Sequence, residues 1–283
     1  MQDAIRQELA DALQSKPTRF ESVSGGCISE AYACHLADGR KIFVKIKEGC
    51  DPRMFRAEAR SLDWLAEAKC LPSPEVLAVG DDYLALSFVE SAAPASDFDE
   101  TFGAGLARLH QFGASQWGLE EDGFLATLAQ NNQSTLTWSE FYIERRLRPL
   151  VQRAVDHSLV PKGWHKPFEL LFAKMHNLVG DDEEVARLHG DLWSGNVHTD
   201  HQGRPVLIDP AAYGGHREVD LAMLKLFGSP SAGFYGAYEE IWPLTAGHQE
   251  RIHLYQLYPL LAHVNLFGGS YIGSCERALQ QYL

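Results

Sequence analysis

Ile5, Leu9 and Leu13 recur at four-residue spacing among polar neighbours, which predicts one short amphipathic helix over residues 1–16. Pro17 ends it, because a proline ring cannot continue the helical hydrogen bonding. The period then shortens. Residues 18–47 alternate around two turn signals, Ser24-Gly25-Gly26 and Ala37-Asp38-Gly39, and predict antiparallel strands near Ala31–Leu36 and Lys41–Ile46. From Met54 to Ala68 a helical period returns, with Phe55, Leu62 and Leu65 on one stripe and Arg60, Asp63 and Glu67 facing elsewhere. Pro72 and Pro74 close that segment, and two further strands are predicted at Glu75–Val79 and Tyr83–Val89.

The small-residue stretch Ser91-Ala92-Ala93-Pro94-Ala95-Ser96 divides the chain into lobes of residues 1–90 and 91–283. Beyond it helices dominate: 97–112 with Ser96 as cap, 138–148, 167–178, 217–227 and several after residue 248. Only Val197–Thr199 and Pro205–Ile208 read as strands there, joined by the polar turn Asp200-His201-Gln202-Gly203. The expected fold class is therefore α+β and two-lobed, a small antiparallel-sheet N-terminal lobe followed by a mainly helical C-terminal lobe. That layout matches the protein-kinase architecture.

The 283 residues and 45% apolar content suffice for a sizeable core, and nothing in the composition argues for disorder. The longest greasy stretch, Leu254–Leu266, is interrupted by Gln256, Pro259, His263 and Asn265, so no membrane span is expected. The N-terminal residues lack the basic patch and apolar block of a signal peptide, and five cysteines without a CxxC pair suit reduced thiols, so the expected location is cytoplasmic. A net charge of −13 disfavours nucleic acid as a partner. It also means that a polyanionic nucleotide must be met by local devices: a lysine, backbone amides and a metal ion.

Those devices can be located. His189-Gly190-Asp191-Leu192-Trp193-Ser194-Gly195-Asn196-Val197 opens the predicted C-terminal hairpin, and Asp209 closes it, so Asp191, Asn196 and Asp209 can converge on one face. Phosphoryl transfer needs a carboxylate to orient and deprotonate the attacking hydroxyl, and ligands that hold magnesium on the phosphates. The spacing is that of a kinase catalytic loop followed by a metal-binding aspartate, with His189-Gly190-Asp191 and Asp209-Pro210-Ala211 in place of the protein-kinase triplets. Asp and Asn also decorate ordinary turns.

Lys45, in the strand Lys41-Ile42-Phe43-Val44-Lys45-Ile46-Lys47, can hold nucleotide phosphates if an acid on the next helix supports it. Glu58 lies in the apolar stripe of that helix, where an acid is costly unless paired. Solvated lysines at 41, 45 and 47 with an outward Glu58 are the plainer alternative. Gly25, Gly26 and Cys27 sit in a loop ahead of Lys45 whose amides could approach phosphates, although Gly-Gly between strands also serves simple hairpins. No P-loop or dinucleotide glycine motif occurs.

The 189–197 block, Leu207-to-Met223 and Tyr255-to-Gly269 together resemble the fructosamine (ketosamine) kinases, relatives of the aminoglycoside phosphotransferases. The resemblance covers nearly the whole chain. It implies ATP-dependent phosphorylation of the 3-hydroxyl of a sugar ketoamine on a protein or free amine, giving an adduct that decomposes and frees the amine. It carries Asp191 over as catalytic base, Asn196 and Asp209 as Mg2+ ligands, Lys45 with Glu58 as the phosphate-holding pair, and Asp220 as an anchor of the catalytic loop. The adenine-reading hinge falls at Ser87, Phe88, Val89 and Glu90.

Trp193 could offer its indole face to a sugar, though a packed tryptophan reads the same; His216, Arg217 and Glu218 could line the acceptor side, as could a capped helix start. Cys27 in the phosphate loop could be a redox-sensitive thiol or a small turn filler. Two other functions stay open at this point: a kinase of an aminoglycoside- or choline-like alcohol, and a nucleotide-holding pseudokinase. The oligomeric state is not legible.

Overall fold

The structure is a computed structural model that describes residues 3–23, 29–180 and 183–283. After helix α1 (Asp3–Leu13), strands β1 (Pro17–Ser22), β2 (Glu30–Leu36) and β3 (Lys41–Ile46) form an antiparallel meander. Helix α2 (Arg53–Glu67) then crosses to β4 (Val76–Val79) and β5 (Tyr83–Ser87), and the sheet order is β1-β2-β3-β5-β4.

Strand periodicity decides which side of this sheet does chemistry. Ile42, Val44 and Ile46 face one way and bury against Ile5, Leu9 and Leu13 of α1. Phe43 and Lys45 therefore face the other way, toward α2, whose Phe55, Ala59 and Leu62 pack on Leu84 and Leu86. The sheet is thus covered on both faces, and Lys45 is delivered beneath α2 by the alternation alone.

The C-terminal lobe begins with α3 (Phe98–Phe112) and the hairpin β6 (Gly123–Leu125) and β7 (Leu128–Gln130). Helix α4 (Trp138–Phe141) runs through a π-helical turn, Tyr142–Leu147, into α5 (Arg148–Asp156), and α6 (His165–Phe172) follows. Next come β8 (Ala186–Leu188), β9 (Val197–Thr199), β10 (Pro205–Leu207), β11 (Tyr213–Gly215), and helices α7 (Glu218–Leu226), α8 (Ala232–Ile241), α9 (His248–Phe267) and α10 (Ile272–Gln280).

The hairpin β9–β10 forms as expected, but it does not stand alone, because β6 pairs with β7 and β8 with β11. Three-residue ladders are too short to register as alternation, which is why the sequence reading missed them. The helix predicted to stop at 148 continues to Asp156, since Pro149 falls at the start of a fresh α-helical segment where a missing N–H is tolerated. The helix expected over 167–178 is split into α6 and a short 3-10 turn, Met175–Asn177.

Most of the lobe packs around one cluster that includes Trp138, Phe168, Tyr213, Tyr255 and Leu261. A second cluster unites Leu65 and Leu71 of the N-terminal part with Phe102, Leu106, Leu192, Leu207, Leu221, Leu224 and Phe234. Among the described residues no helix is long and apolar enough to cross a membrane.

Candidate active site

Of the three lysines on β3 and just after it, only Lys45 is buried, and it meets two carboxylates: Glu58 Oε1 at 2.7 Å and Asp209 Oδ1 at 2.6 Å. One partner comes from α2 and the other from 164 residues further along the chain, so this single ammonium joins the two lobes. Burial alone would lower the pKa of Lys45, but Glu58 and Asp209 more than offset it and hold the ammonium above its ordinary value. The same burial pushes the Glu58 carboxyl up, against the pull of Lys45. A buried lysine with two acids is an assembly built to keep its charge. The structure brings Lys45 and Glu58 together as a buried ion pair.

The catalytic-loop candidate hangs from the end of β8. Its backbone is fixed by Asp220 of α7, which is fully buried: Oδ2 accepts from the N–H of His189 at 2.7 Å and Oδ1 from the N–H of Gly190 at 3.0 Å. Asp220 is itself backed by His110 of α3, whose Nε2 lies 3.3 Å from Oδ2, and His110 Nδ1 meets the Tyr238 hydroxyl of α8 at 2.8 Å. Gly190 adopts φ +82°, and a Cβ there would stand 2.1 Å from the carbonyl oxygen of Ala211, so no other residue fits this turn.

His189 completes the brace. Burial lowers its pKa, so the ring is neutral; Nε2–H donates to the carbonyl of Ile208 at 2.9 Å, and Nδ1 accepts from the N–H of Asp191 at 3.3 Å. The ring thus links the turn before Asp191 to the residue before Asp209.

Asp191 receives two contacts from the Asn196 side chain, whose Nδ2 donates to its carbonyl at 2.8 Å and to its Oδ2 at 3.1 Å. Burial, reinforced by the negative charge of Asp209 and opposed by the Asn196 hydrogen bond, pushes the Asp191 carboxyl up to about 7. A carboxylate near neutrality is suited to taking a proton at physiological pH. Asp209 itself has φ +55°, a left-handed conformation that aspartate tolerates better than most residues and that turns its carboxylate back toward Lys45.

The donor set also fits a hard cation. Asn196 engages its amide nitrogen with Asp191, which leaves its carbonyl oxygen uncommitted among the described residues, and Asp209 retains the oxygen not bonded to Lys45. One carboxylate and one amide oxygen, to be completed by phosphate and water, suit Mg2+.

The segment expected to form the hinge, residues 87–90, begins at the end of β5. Ser87 ends β5 with its N–H on the Glu75 carbonyl, and Lys41 spans the segment, its Nζ 3.7 Å from the centre of the Phe88 ring and 3.1 Å from Glu90. Val89 is half-buried between them. Trp193 is 39% exposed beside the catalytic loop, its ring lying over Gly195 and edge-on to Phe227 at 6.5 Å.

Three acceptor-side candidates are corrected. His216 is buried and stacks on Tyr255 at 5.2 Å, and Glu218 is buried in a two-pronged ion pair with Arg251 at 2.6 and 2.8 Å. Arg217 likewise grips Glu183. All three anchor the start of α7 inside the lobe, so they hold the scaffold and do not line a substrate surface. Gly25, Gly26 and Cys27 lie outside the described residues.

The sequence reading missed His110, Tyr238 and Ser61, whose hydroxyl accepts from the N–H of Ala212 at 3.3 Å. His110 did leave a signal: a polar residue four positions after Leu106 on a helix whose apolar face is buried.

A five-stranded sheet with a lysine and a helix-borne glutamate, over a helical lobe presenting the loops at 191 and 209, is the fold of the protein-kinase-like phosphotransferases. The chain belongs to the fructosamine kinase family, whose profile matches residues 1–283. It is a kinase.

Among its relatives, a Synechocystis protein assigned as a ketoamine kinase is 39% identical over 292 residues, covering 99% of this chain and 96% of its own length. A chloroplastic protein-ribulosamine 3-kinase of Oryza sativa subsp. japonica is 34% identical over 295 residues, covering 100% of this chain and 84% of its own length. A crystal structure from Thermobifida fusca, assigned as a fructosamine-3-kinase, superposes with a TM-score of 0.92 at 37% identity, covering 100% of this chain and 99% of that one. At 14% identity and a TM-score of 0.66, an aminoglycoside phosphotransferase solved with ADP shares the fold.

Proposed function

We propose that this kinase transfers the γ-phosphoryl group of ATP to the 3-hydroxyl of a ketosamine, a fructosamine- or ribulosamine-type adduct of an amine or protein. The product then decomposes and releases the amine, so the reaction promotes deglycation. The observation that carries the reading is Lys45 bound at once to Glu58 and Asp209, because it joins the phosphate-holding strand to the loop that ends the catalytic hairpin.

In this reading Asp191 accepts the proton of the attacking hydroxyl as its oxygen bonds to the γ-phosphorus. The bond from that phosphorus to the bridging oxygen breaks, and ADP leaves. Asn196 positions the Asp191 carboxylate, and Lys45 offsets charge on the α- and β-phosphates while Glu58 aims it. Asn196 and Asp209 would hold Mg2+, which supplies neutralisation of the phosphate charge when bound. The hinge Ser87–Glu90 receives adenine at the boundary between lobes 1–90 and 91–283, and Gly25, Gly26 and Cys27 are assigned to the loop over the phosphates.

Trp193 is the proposed sugar platform. Its support is position and surroundings: the exposed indole adjoins Phe227, which stacks on His263 at 4.6 Å, and His263 in turn meets Tyr271 at 4.8 Å. We place the protein in the cytoplasm, where Cys34, Cys50, Cys70 and Cys275 remain free thiols as they are in this structure.

The test is ATP turnover with magnesium against ribulosyl-lysine, fructosyl-lysine, kanamycin and choline. Turnover with the ketoamines, lost on chelating the metal, is the expected result; turnover with kanamycin or choline alone overturns the substrate class. Lys45→Met is expected to reduce kcat/KM for ATP by roughly 10²–10³-fold, the range for removing one preorganised charge from a reacting centre. Steady-state kinetics at varied ATP checks this, and an unaffected variant would transfer the role to Lys47.

A further inference from the structure

Helix α2 carries Glu58, yet its last turn contains no basic residue to meet the negative end of the helix dipole. Its final carbonyls also lack helical partners. The N–H of Ala68 turns back to Leu65 at 3.3 Å and that of Lys69 to Ala66 at 3.1 Å, which leaves the Trp64 carbonyl. That carbonyl is taken by Arg187, a residue of the other lobe.

Arg187 lies on β8, two residues before His189, and is only 6% exposed. Its Nη1 donates to the Trp64 carbonyl and, at 3.1 Å, to Glu67 Oε2, while Nε donates to the Gly113 carbonyl at 3.2 Å. The guanidinium carbon stands 4.1 Å from the Trp64 ring centre and 4.5 Å from that of Phe112, so the planar group lies against two aromatic rings. Two ties precede it along the same helix: Glu58 to Lys45, and Ser61 to the backbone of Ala212. Together these ties hold α2 against strand β3, the Asp209 loop and the strand that feeds Asp191.

We infer that Arg187 is a positioning residue, a cap supplied to α2 by the C-terminal lobe that fixes where Glu58 stands and hence where Lys45 meets the nucleotide. The role rests on the proposed phosphoryl transfer to this extent: Lys45 is the group whose placement matters. A lysine could not replace it, because a point charge cannot bond Trp64, Glu67 and Gly113 while lying against two rings.

A double-mutant cycle separates this role from simple lobe adhesion. Arg187→Met should lower kcat/KM for ATP about tenfold in the wild-type background and less than about twofold when Glu58 is already Gln, because both changes act through the same lysine. Arg187→Lys should follow Arg187→Met, and it carries the cycle if the methionine variant does not fold. An equal loss in both backgrounds, or full activity in either Arg187 variant, overturns the inference. Hydrogen exchange on the substrate-free protein decides it independently of which acceptor the kinase uses: amides of residues 62–68 should exchange about tenfold faster in the variant with α9 unchanged. Unaltered protection at 62–68 overturns it.

Discussion

Asp191→Ala should lower turnover by roughly 10²–10⁴-fold, the range for loss of a positioned general base, while leaving the fold and nucleotide binding in place. The separation follows from how Asp191 is held. Its carboxyl is pushed up to about 7 by burial and by the charge of Asp209, so its ionised form is disfavoured where it stands. Apart from the contact from Asn196 Nδ2 to its Oδ2, its side chain makes no hydrogen bond among the described residues. Removing it relieves repulsion at Asp209, and the Asn196 amide keeps its bond to the backbone carbonyl at that position. The variant is therefore expected to melt at or above the wild-type temperature and to bind ADP with unchanged affinity by calorimetry. Turnover within a few-fold of wild type would remove Asp191 from the role of base.

Asp220→Ala should do the opposite in one respect: it should lose stability together with activity. Asp220 is the acceptor for two consecutive backbone N–H groups, of His189 and Gly190, in a site sealed from solvent. Each buried donor left without an acceptor costs about 1–3 kcal/mol. Nothing nearby can substitute, because the Gly190 turn is already closed against Ala211 and His189 is committed to Ile208. Chemical denaturation is the measurement, with Asp220→Asn as the graded comparison, since an amide keeps one acceptor and loses the other. A variant as stable as wild type would show that the loop does not hang from α7.

The features legible in the sequence share one physical property, which is that they are local. The Lys45 side of β3 follows from strand alternation, Glu58 from an acid in an apolar stripe, and Asp191, Asn196 and Asp209 from spacing within one hairpin. What escaped is long-range. The brace from Tyr238 through His110 to Asp220 joins residues 110 and 128 positions apart, and no pattern in any window announces such pairs. His216 and Glu218 misled for a related reason. Polar residues beside a catalytic motif look like ligands when their buried partners, Tyr255 and Arg251, are more than thirty residues away in the chain. The three-residue strands β8 and β11 were invisible because pairing across 25 residues, not alternation, makes them strands.

The cluster that unites Leu65 and Leu71 with Phe102, Leu192, Leu207 and Leu221 bears on how the chain is made at the ribosome. Every pairing of the five-stranded sheet lies within residues 17–87, so the sheet can close as soon as that segment has emerged. Yet α2 is then covered only on the face that packs on Leu84 and Leu86. Leu65 and Leu71 face partners not yet synthesised, and Lys45 and Glu58 wait for Asp209 to be added more than a hundred residues later. An early N-terminal intermediate thus exposes an apolar ledge along α2 for most of synthesis. Residues 1–90 expressed alone would carry that ledge permanently, a surface for a chaperone or for aggregation.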